Sequence, residues 1–400
     1  MLLTVSKRLE FSSSRRLFVP GWSDAQNEAA FGAETHARYG TGRNYTAYFI
    51  FTGRVDPVTG MLINISEIKD LAGRIVDDRF DHKFLNEDNP EFRKQAPTAE
   101  NVARQLYLDV EPLFADVNAK LVACHLVESP ERSATYYGDG ACDSNYWFEF
   151  SAARRTMSPR LSDAENERLF GEATSVHGHN YRCRLTFRAP DRKGPVVAQN
   201  QISECISPLR EKLDHKYLND LADFSNAPLT TESLAIYLRD QVGARMPIDH
   251  VRLHERDDFF AEAWSDNGIF LGMRMAFSAA HRLHVQQFSD AKNVQLFGKC
   301  DNARGHGHLY MAEATVTGAY DPRSGVLFDF MALQRALNDS VEAWRDRHLD
   351  KESEDFKTKP STGENIVRTL WPKVDERVGH QLVRLRLWET VNNRFTLRRT

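Results

Sequence analysis

The 400-residue sequence lacks any apolar run able to cross a bilayer: its strongest apolar stretch is Ala47–Phe51, against the roughly 20 residues a membrane helix needs. Met1–Glu10 is too short and too charged for a secretory leader. Cysteine is scarce, with Cys124, Cys142, Cys183, Cys205 and Cys300 odd in number and widely scattered, which excludes a disulfide framework. These absences predict a cytoplasmic protein with no membrane partner. A strong charge of one sign is also missing, since 52 Lys and Arg against 56 Asp and Glu give a formal net charge of −4 and no global basic field for nucleic acid. What is present, 41% hydrophobic and 27% charged residues, matches a globular chain with a sizeable core. Single cores stop growing near roughly 250 residues, so this length predicts more than one domain.

The organisation is repetitive. Phe11-Ser-Ser-Ser-Arg-Arg-Leu recurs as Phe150-Ser-Ala-Ala-Arg-Arg-Thr and Phe277-Ser-Ala-Ala-His-Arg-Leu, and each first Phe is followed 20 residues later by Phe-Gly. Downstream, Asp81-His82-Lys83 is matched by Asp214-His215-Lys216, and the third repeat aligns Arg345-Asp346 at that place. Thr98-Ala-Glu-Asn, Thr230-Thr-Glu-Ser and Thr362-Gly-Glu-Asn follow, with their glutamates 132 residues apart each time. The chain therefore reads as three units: residues 1–135, 145–265 and 268–400. The boundaries are expected near Ser133–Ser144 and Trp264–Gly268.

Within a unit, Tyr45–Val55, Tyr181–Arg188 and His308–Gly318 alternate with the period of half-buried strands. Asp56–Gly60 and Asp321–Gly325 carry Pro and Gly at turn positions and predict hairpins. Ile65, Ile68, Leu71, Ile75 and Val76 fall at helical spacing, as do Val102, Leu106, Val110 and Leu113 after a Thr98 N-cap. Each unit is expected to run strand, hairpin, helix, helix, strand: an α+β module with helices on one face of an antiparallel sheet.

Only the third unit carries a full set of metal ligands. His306 and His308 are two residues apart on a predicted strand and project from one face, and His281 on the unit's first strand could complete a three-histidine zinc site with an open position. The counterparts of His281 are Arg15 and Arg154; those of His306 and His308 are Thr41 and Arg43 in the first unit and His177 and His179 in the second. Guanidinium does not ligate metal, so the first unit keeps none of the triad and the second keeps two. The two arginines read either as cations standing in for a metal or as surface salt-bridge residues. Cys300, just ahead of His306, has no cysteine counterpart in the other units, which have Ala33-Glu34 and Glu172-Ala173. Three readings stand: a buried inert thiol, a fourth ligand of a structural zinc site, or a base whose pKa is lowered by a metal and Lys299. The Asp-His pairs occur only in the first two units, so metal, cysteine and pair can meet only across a boundary between units.

At Phe277–Leu283, Leu296–Tyr310, Pro97–Asn101 and Leu213–Asn219 the residues resemble the 6-pyruvoyltetrahydropterin synthase family, including its 6-carboxytetrahydropterin synthase relatives, over the whole chain as three tandem copies. The resemblance implies tunnelling-fold (T-fold) units, each a four-stranded antiparallel sheet with two helices. Three such units would close a pseudo-trimeric twelve-stranded barrel, and two barrels would stack face to face as a homodimer. It implies Zn2+ on His281, His306 and His308, Cys300 as the base, and Glu389 as the pterin anchor, where composition alone would make Glu389 a strand-end surface carboxylate. Asp81-His82 or Asp214-His215 would complete the site. The implied reaction is that of a carbon–oxygen lyase acting on phosphates, eliminating triphosphate from 7,8-dihydroneopterin triphosphate, with Lys299, Arg282 and Arg304 as candidate cations for the leaving group. Five residues separate Cys300 from His306, as in the pyruvoyl-forming branch; the carboxy-forming branch usually has three. The 6-carboxytetrahydropterin reaction and a non-catalytic pterin-binding protein are the alternatives. Glu172 in the second unit resembles a variant in which Glu replaces Cys, and Arg154 predicts that this pseudo-site is catalytically dead, while leaving room for a bound pterin.

Overall fold

Alternation along the strands decides the layers. In the first strand Leu3, Val5 and Phe11 are buried in the common apolar core, with polar residues between them. The computed structural model describes residues 1–189 and 197–400. The first unit contributes β1 (Leu2–Arg15), β2 (Thr41–Gly53), β3 (Ala119–Ser129) and β4 (Arg132–Tyr137). The second contributes β5 (Cys142–Arg154), β6 (His177–Ala189), β7 (His250–Arg256) and β8 (Phe259–Trp264), and the third β9 (Ile269–His281), β10 (His306–Val316), β11 (Leu382–Thr390) and β12 (Asn393–Arg398). Each of these twelve strands pairs antiparallel with the next, and β12 returns to β1 with Leu2 opposite Arg398, so they close a barrel, to which three two-residue strands, Lys83–Phe84, Lys216–Tyr217 and Arg347–His348, add parallel pairings on β1, β5 and β9.

Two long helices per unit cover the outside: α1 (Ile65–Arg79) and α2 (Ala99–Val110), α3 (Gln199–Leu213) and α4 (Thr231–Gly243), α5 (Phe330–Val341) and α6 (Gly363–Arg377). Ile68, Ala72 and Val76 are the buried face of α1, with Ile65, Leu71 and Ile75 packed at its margin. Thr98, Thr230 and Thr362 cap α2, α4 and α6 by accepting the amide three residues on. The core lies between these helices and the outer face of the barrel. Among the described residues no helix is long and apolar enough to cross a membrane.

The four-stranded unit differs in order from the expected strand, hairpin, helix, helix, strand. Two strands precede the long helices, with a short helix between them (Asp24–Phe31, Asp163–Phe170, Asp290–Phe297), and two strands follow. The Asp56–Gly60 and Asp321–Gly325 turns do not join sheet strands. Each closes on itself and then feeds a helix N-cap, Asn64 or Asp329. At the Ser133–Ser144 boundary the chain forms the β4–β5 hairpin, with Ala134 opposite Ser144, so one unit passes into the next through continuous sheet.

Candidate metal and acid-base centre

Strand register places the three counterpart positions on one rim of the barrel. His281 ends β9 opposite His306, Arg154 ends β5 opposite His177, and Arg15 ends β1 opposite Thr41. Because β1, β5 and β9 run in the same direction around the closed antiparallel sheet, all three ends share that rim.

In the third unit the structure brings His281, His306 and His308 together, with one ligand nitrogen from each within 4.8 Å of the others. His281 is fully buried; its Nδ1 lies 3.0 Å from the Ser361 carbonyl, which turns Nε2 to within 3.1 Å of His306 Nε2. Ser361 in turn donates its hydroxyl to Asp350 at 2.9 Å, and Asp350 also accepts the Arg282 amide at 2.7 Å. That chain fixes the ring from behind, as outer hydrogen bonds do for metal-ligating histidines. Burial first, then the two neighbouring imidazoles, pushes His306 down to about 4, and burial likewise lowers His308. Neutral imidazoles are the ligating form. Glu389 Oε1 stands 3.7 Å from His281 Nε2 and 3.9 Å from His308 Nε2, while Oε2 accepts from Asn393 at 3.0 Å. The donor set therefore fits a divalent cation: three convergent imidazole nitrogens beside one carboxylate, which is no surface group at 13% exposure.

Cys300 lies near this centre, within reach of the Glu389 charge, and outside the cluster of convergent ligand atoms. Its thiol is pushed up from the ordinary value by burial and further by the Glu389 carboxylate. Lys299, the cation expected beside it, is exposed. Arg282 is also taken up elsewhere, held to the carbonyl and carboxylate of Asp301 at 3.1 and 2.9 Å, and Arg304 is exposed.

The neighbouring wall of the site comes from the first unit. Asn64 donates to the Leu296 carbonyl at 3.2 Å, and Leu62 N–H to the buried Glu364 at 2.9 Å. Thr362 Oγ1 donates to the Gly60 carbonyl at 2.6 Å. Gly60 has φ of +71°, and a Cβ there would stand 2.5 Å from Asn365 Nδ2, so the turn needs glycine to dock. Lys7 donates to Asn393 at 3.0 Å and is held below the ordinary lysine range by burial and then by Lys69, with Glu389 opposing. Lys7, Lys69 and Ser361 have no local sequence motif, and the sequence reading missed them.

The two Asp-His pairs do not join this cluster. His82 Nδ1 lies 2.6 Å from Asp81, which accepts the Ser12 amide; His215 Nδ1 lies 3.0 Å from Asp214, which accepts the Ser151 amide. Their imidazoles are 84% and 82% exposed, and among the described residues no hydrogen bond, ion pair or ring contact ties either to the third unit. Asp346 takes the matching backbone position, with φ of 57° beside 54° at His82 and 55° at His215, and donates its amide to Ser278 as those donate to Ser12 and Ser151.

In the other units the vacated position is filled by a buried ion pair, not a surface one. Arg15 Nε donates to Glu128 at 2.7 Å and its Nη1 pairs with Glu34, which also holds Arg43. Arg154 pairs with Glu255 at 2.5 Å, whose other oxygen lies 3.0 Å from His179 Nε2. Glu128, Glu255 and Glu389 occupy matching strand ends in Leu126-Val-Glu, Leu253-His-Glu and Leu387-Trp-Glu, a repeat that the sequence alone could have revealed. His177, His179 and Glu255 still converge, but Arg154 occupies the place of the third ligand. A cavity of about 660 Å³ remains between the first and second units, lined by Glu34, Arg43, Glu128, Tyr146 and Arg182.

A family model described as 6-pyruvoyl tetrahydropterin synthase matches the chain three times, over residues 4–139, 145–266 and 271–400. A Drosophila melanogaster protein named 6-pyruvoyl tetrahydrobiopterin synthase is 43% identical over 106 residues, 26% of this chain and 63% of the relative. A human protein of the same name is 36% identical over 123 residues, 30% of this chain and 84% of the relative. A Rickettsia conorii protein named 6-carboxy-5,6,7,8-tetrahydropterin synthase is 28% identical over 145 residues, 32% of this chain and 96% of the relative.

Proposed function

The chain belongs to the 6-pyruvoyl tetrahydropterin synthase family in three consecutive copies, and from that premise we propose that its third unit is a zinc-dependent lyase eliminating triphosphate from 7,8-dihydroneopterin triphosphate. The observation that carries this reading is the convergence of His281, His306 and His308 in the one unit that also has Cys300. These histidines would hold the ion, which when bound stabilises negative charge developing on substrate oxygens. Cys300 Sγ receives the proton leaving the substrate side chain. Glu389, with one oxygen already on Asn393, offers its other to the pterin's N–H edge. Lys7 and Lys69, donated by the first unit, supply positive charge beside the pocket, a role the sequence reading gave to Arg282, Lys299 and Arg304.

His82 and His215 keep Nδ1 on an aspartate, which leaves Nε2 facing solvent at the rim and able to carry a proton. A second chain stacked rim to rim would set one such pair over the third unit's cluster, so the working form in this reading is a cytosolic homodimer. The Arg154–Glu255 pair leaves the second unit without turnover.

The 28% identical Rickettsia relative keeps the 6-carboxytetrahydropterin reaction as the second reading. Incubating the zinc-loaded chain with 7,8-dihydroneopterin triphosphate and identifying the product by mass spectrometry separates the two. A 6-pyruvoyl product supports the proposal, a 6-carboxy product with acetaldehyde moves the chain to the sister reaction, and bound but unconverted substrate makes it a pterin-binding protein.

A further inference from the structure

The inner face of the barrel carries a charge that the whole-chain balance hides. On β11 Leu385 and Leu387 join the helix-side core, which turns Arg384 and Arg386 into the lumen; on β12 Phe395 and Leu397 do the same for Arg394 and Arg398. On β6 and β7, Cys183, Leu185, Val251 and Leu253 face the core, leaving Arg184 and Arg252 inside the barrel.

Two buried glutamates answer these cations. Glu262 pairs with Arg252 at 3.2 Å and Arg384 at 2.8 Å; Glu313 pairs with Arg252 at 2.9 Å, Arg386 at 2.9 Å and Arg274 at 2.7 Å. Among the described residues, Arg184, Arg394 and Arg398 reach no carboxylate. Arg184 has His250 Nε2 at 2.9 Å and the Trp147 ring at 5.6 Å, and Arg394 faces the Tyr48 ring at 5.7 Å. The Nε donors of Arg184, Arg384, Arg386 and Arg394 have no partner. These guanidiniums feel one another through Arg384, and burial followed by that neighbour holds Arg386 well below its ordinary range. On the first unit's wall the His125 ring of β3 lies 5.8 Å from the Tyr48 ring that Arg394 faces, and His125 is pushed down to about 3 by burial and then by Arg394, Arg184 and Arg386.

We propose that the barrel lumen is a binding site for a phosphate-type oxyanion, held by Arg184, Arg394 and Arg398 with the free Nε donors of Arg384 and Arg386. Arg184 and Arg394 are half-buried and Arg398 lies at the open end of the lumen, and like charges gathered on one inner wall repel, a repulsion that a multivalent anion removes. The guanidinium fork matches two oxygens of one oxyanion, a fit that spherical chloride does not offer. This inference stands apart from the lyase reading, since none of these arginines belongs to the third unit's centre.

The test is calorimetric titration of the intact chain with inorganic phosphate and with inorganic triphosphate, at an ionic strength held constant with chloride. A saturable site is expected, with Arg394→Gln and Arg184→Gln each weakening it by about tenfold or more, as expected for a lost charge-assisted contact. Cys300→Ala should leave it unchanged. Without added oxyanion, Arg394→Gln should unfold at a midpoint no lower than the parent, because it relieves repulsion. Equal saturation by both ligands assigns a single phosphate group, and preference for triphosphate assigns a longer anion. Binding unaffected by both substitutions, no saturable binding, or stabilisation matched by chloride overturns the proposal. Should Arg394→Gln fail to fold, Arg398→Gln at the more exposed end of β12 carries the same expectation.

Discussion

Arg154 stands in the second unit where His281 stands in the third, and its guanidinium meets Glu255, the counterpart of Glu389, at 2.5 Å. A buried permanent cation thus sits where the intact unit has a ligand nitrogen, and the carboxylate beside it is spent on an internal pair. Arg15 and Glu128 repeat the exchange in the first unit. Burial works against the charged form of Glu255, and Arg154, with His179 and Thr231, more than offsets it, holding the carboxyl well below its ordinary range.

Breaking one partner of such a pair leaves the other buried and uncompensated. Arg154→Ala should therefore lower the unfolding free energy by about 3–5 kcal/mol, whereas Arg154→Met with Glu255→Gln should cost far less. Urea denaturation of the three chains measures this, and equal losses in the single and double variants would contradict it.

Glu232 accepts the Leu327 amide of the third unit at 3.2 Å, and burial pushes its carboxyl up to about 7 from 4.5. Between those values the folded chain binds the proton that the unfolded chain has released. The contribution of Glu232 to stability thus falls as pH rises through that window and levels off above it. Glu232→Gln keeps an oxygen for Leu327 but removes the titration. Its melting midpoint should match the parent near pH 5 and exceed it at pH 8; a lower midpoint at pH 8 would speak against the ionisation penalty.

The Cys300 thiol is pushed up by burial and by Glu389. In the metal-free chain its alkylation by iodoacetamide should be slow at neutral pH and climb only above the ordinary thiol range, and zinc loading should shift that climb downward. Cys300→Ala should retain the metal while losing turnover. A variant that loses zinc would make the thiol a ligand instead of a base.

Lys7→Ala removes a cation that one unit lends to another. A rise in KM of about tenfold or more is expected, with zinc content unchanged, as for one lost charge-assisted contact. An unaltered KM would remove Lys7 from the substrate's surroundings.

Much of this architecture was legible because the sequence repeats itself. The matched Phe-Ser motifs and the invariant glutamate interval predicted three units, and strand register confirms that Arg15, Arg154 and His281 are counterparts. What escaped was long-range. The Asp56–Gly60 turn looks like a hairpin locally, yet its docking partner is Thr362, 302 residues away. Lys7 joins the site because β1 closes against β12, a pairing no local pattern announces. The lumen arginines were masked in the same way: strand alternation gathers them inside while the whole chain counts out at −4.

The central claim is that one competent centre survives, built on His281, His306 and His308. Zinc content of the purified chain, measured by mass spectrometry of the acid-released metal beside His306→Ala and Glu255→Gln, tests it most directly. The account predicts a single zinc per chain, lost in His306→Ala and kept in Glu255→Gln. A zinc that survives His306→Ala, or leaves with Glu255→Gln, would contradict it.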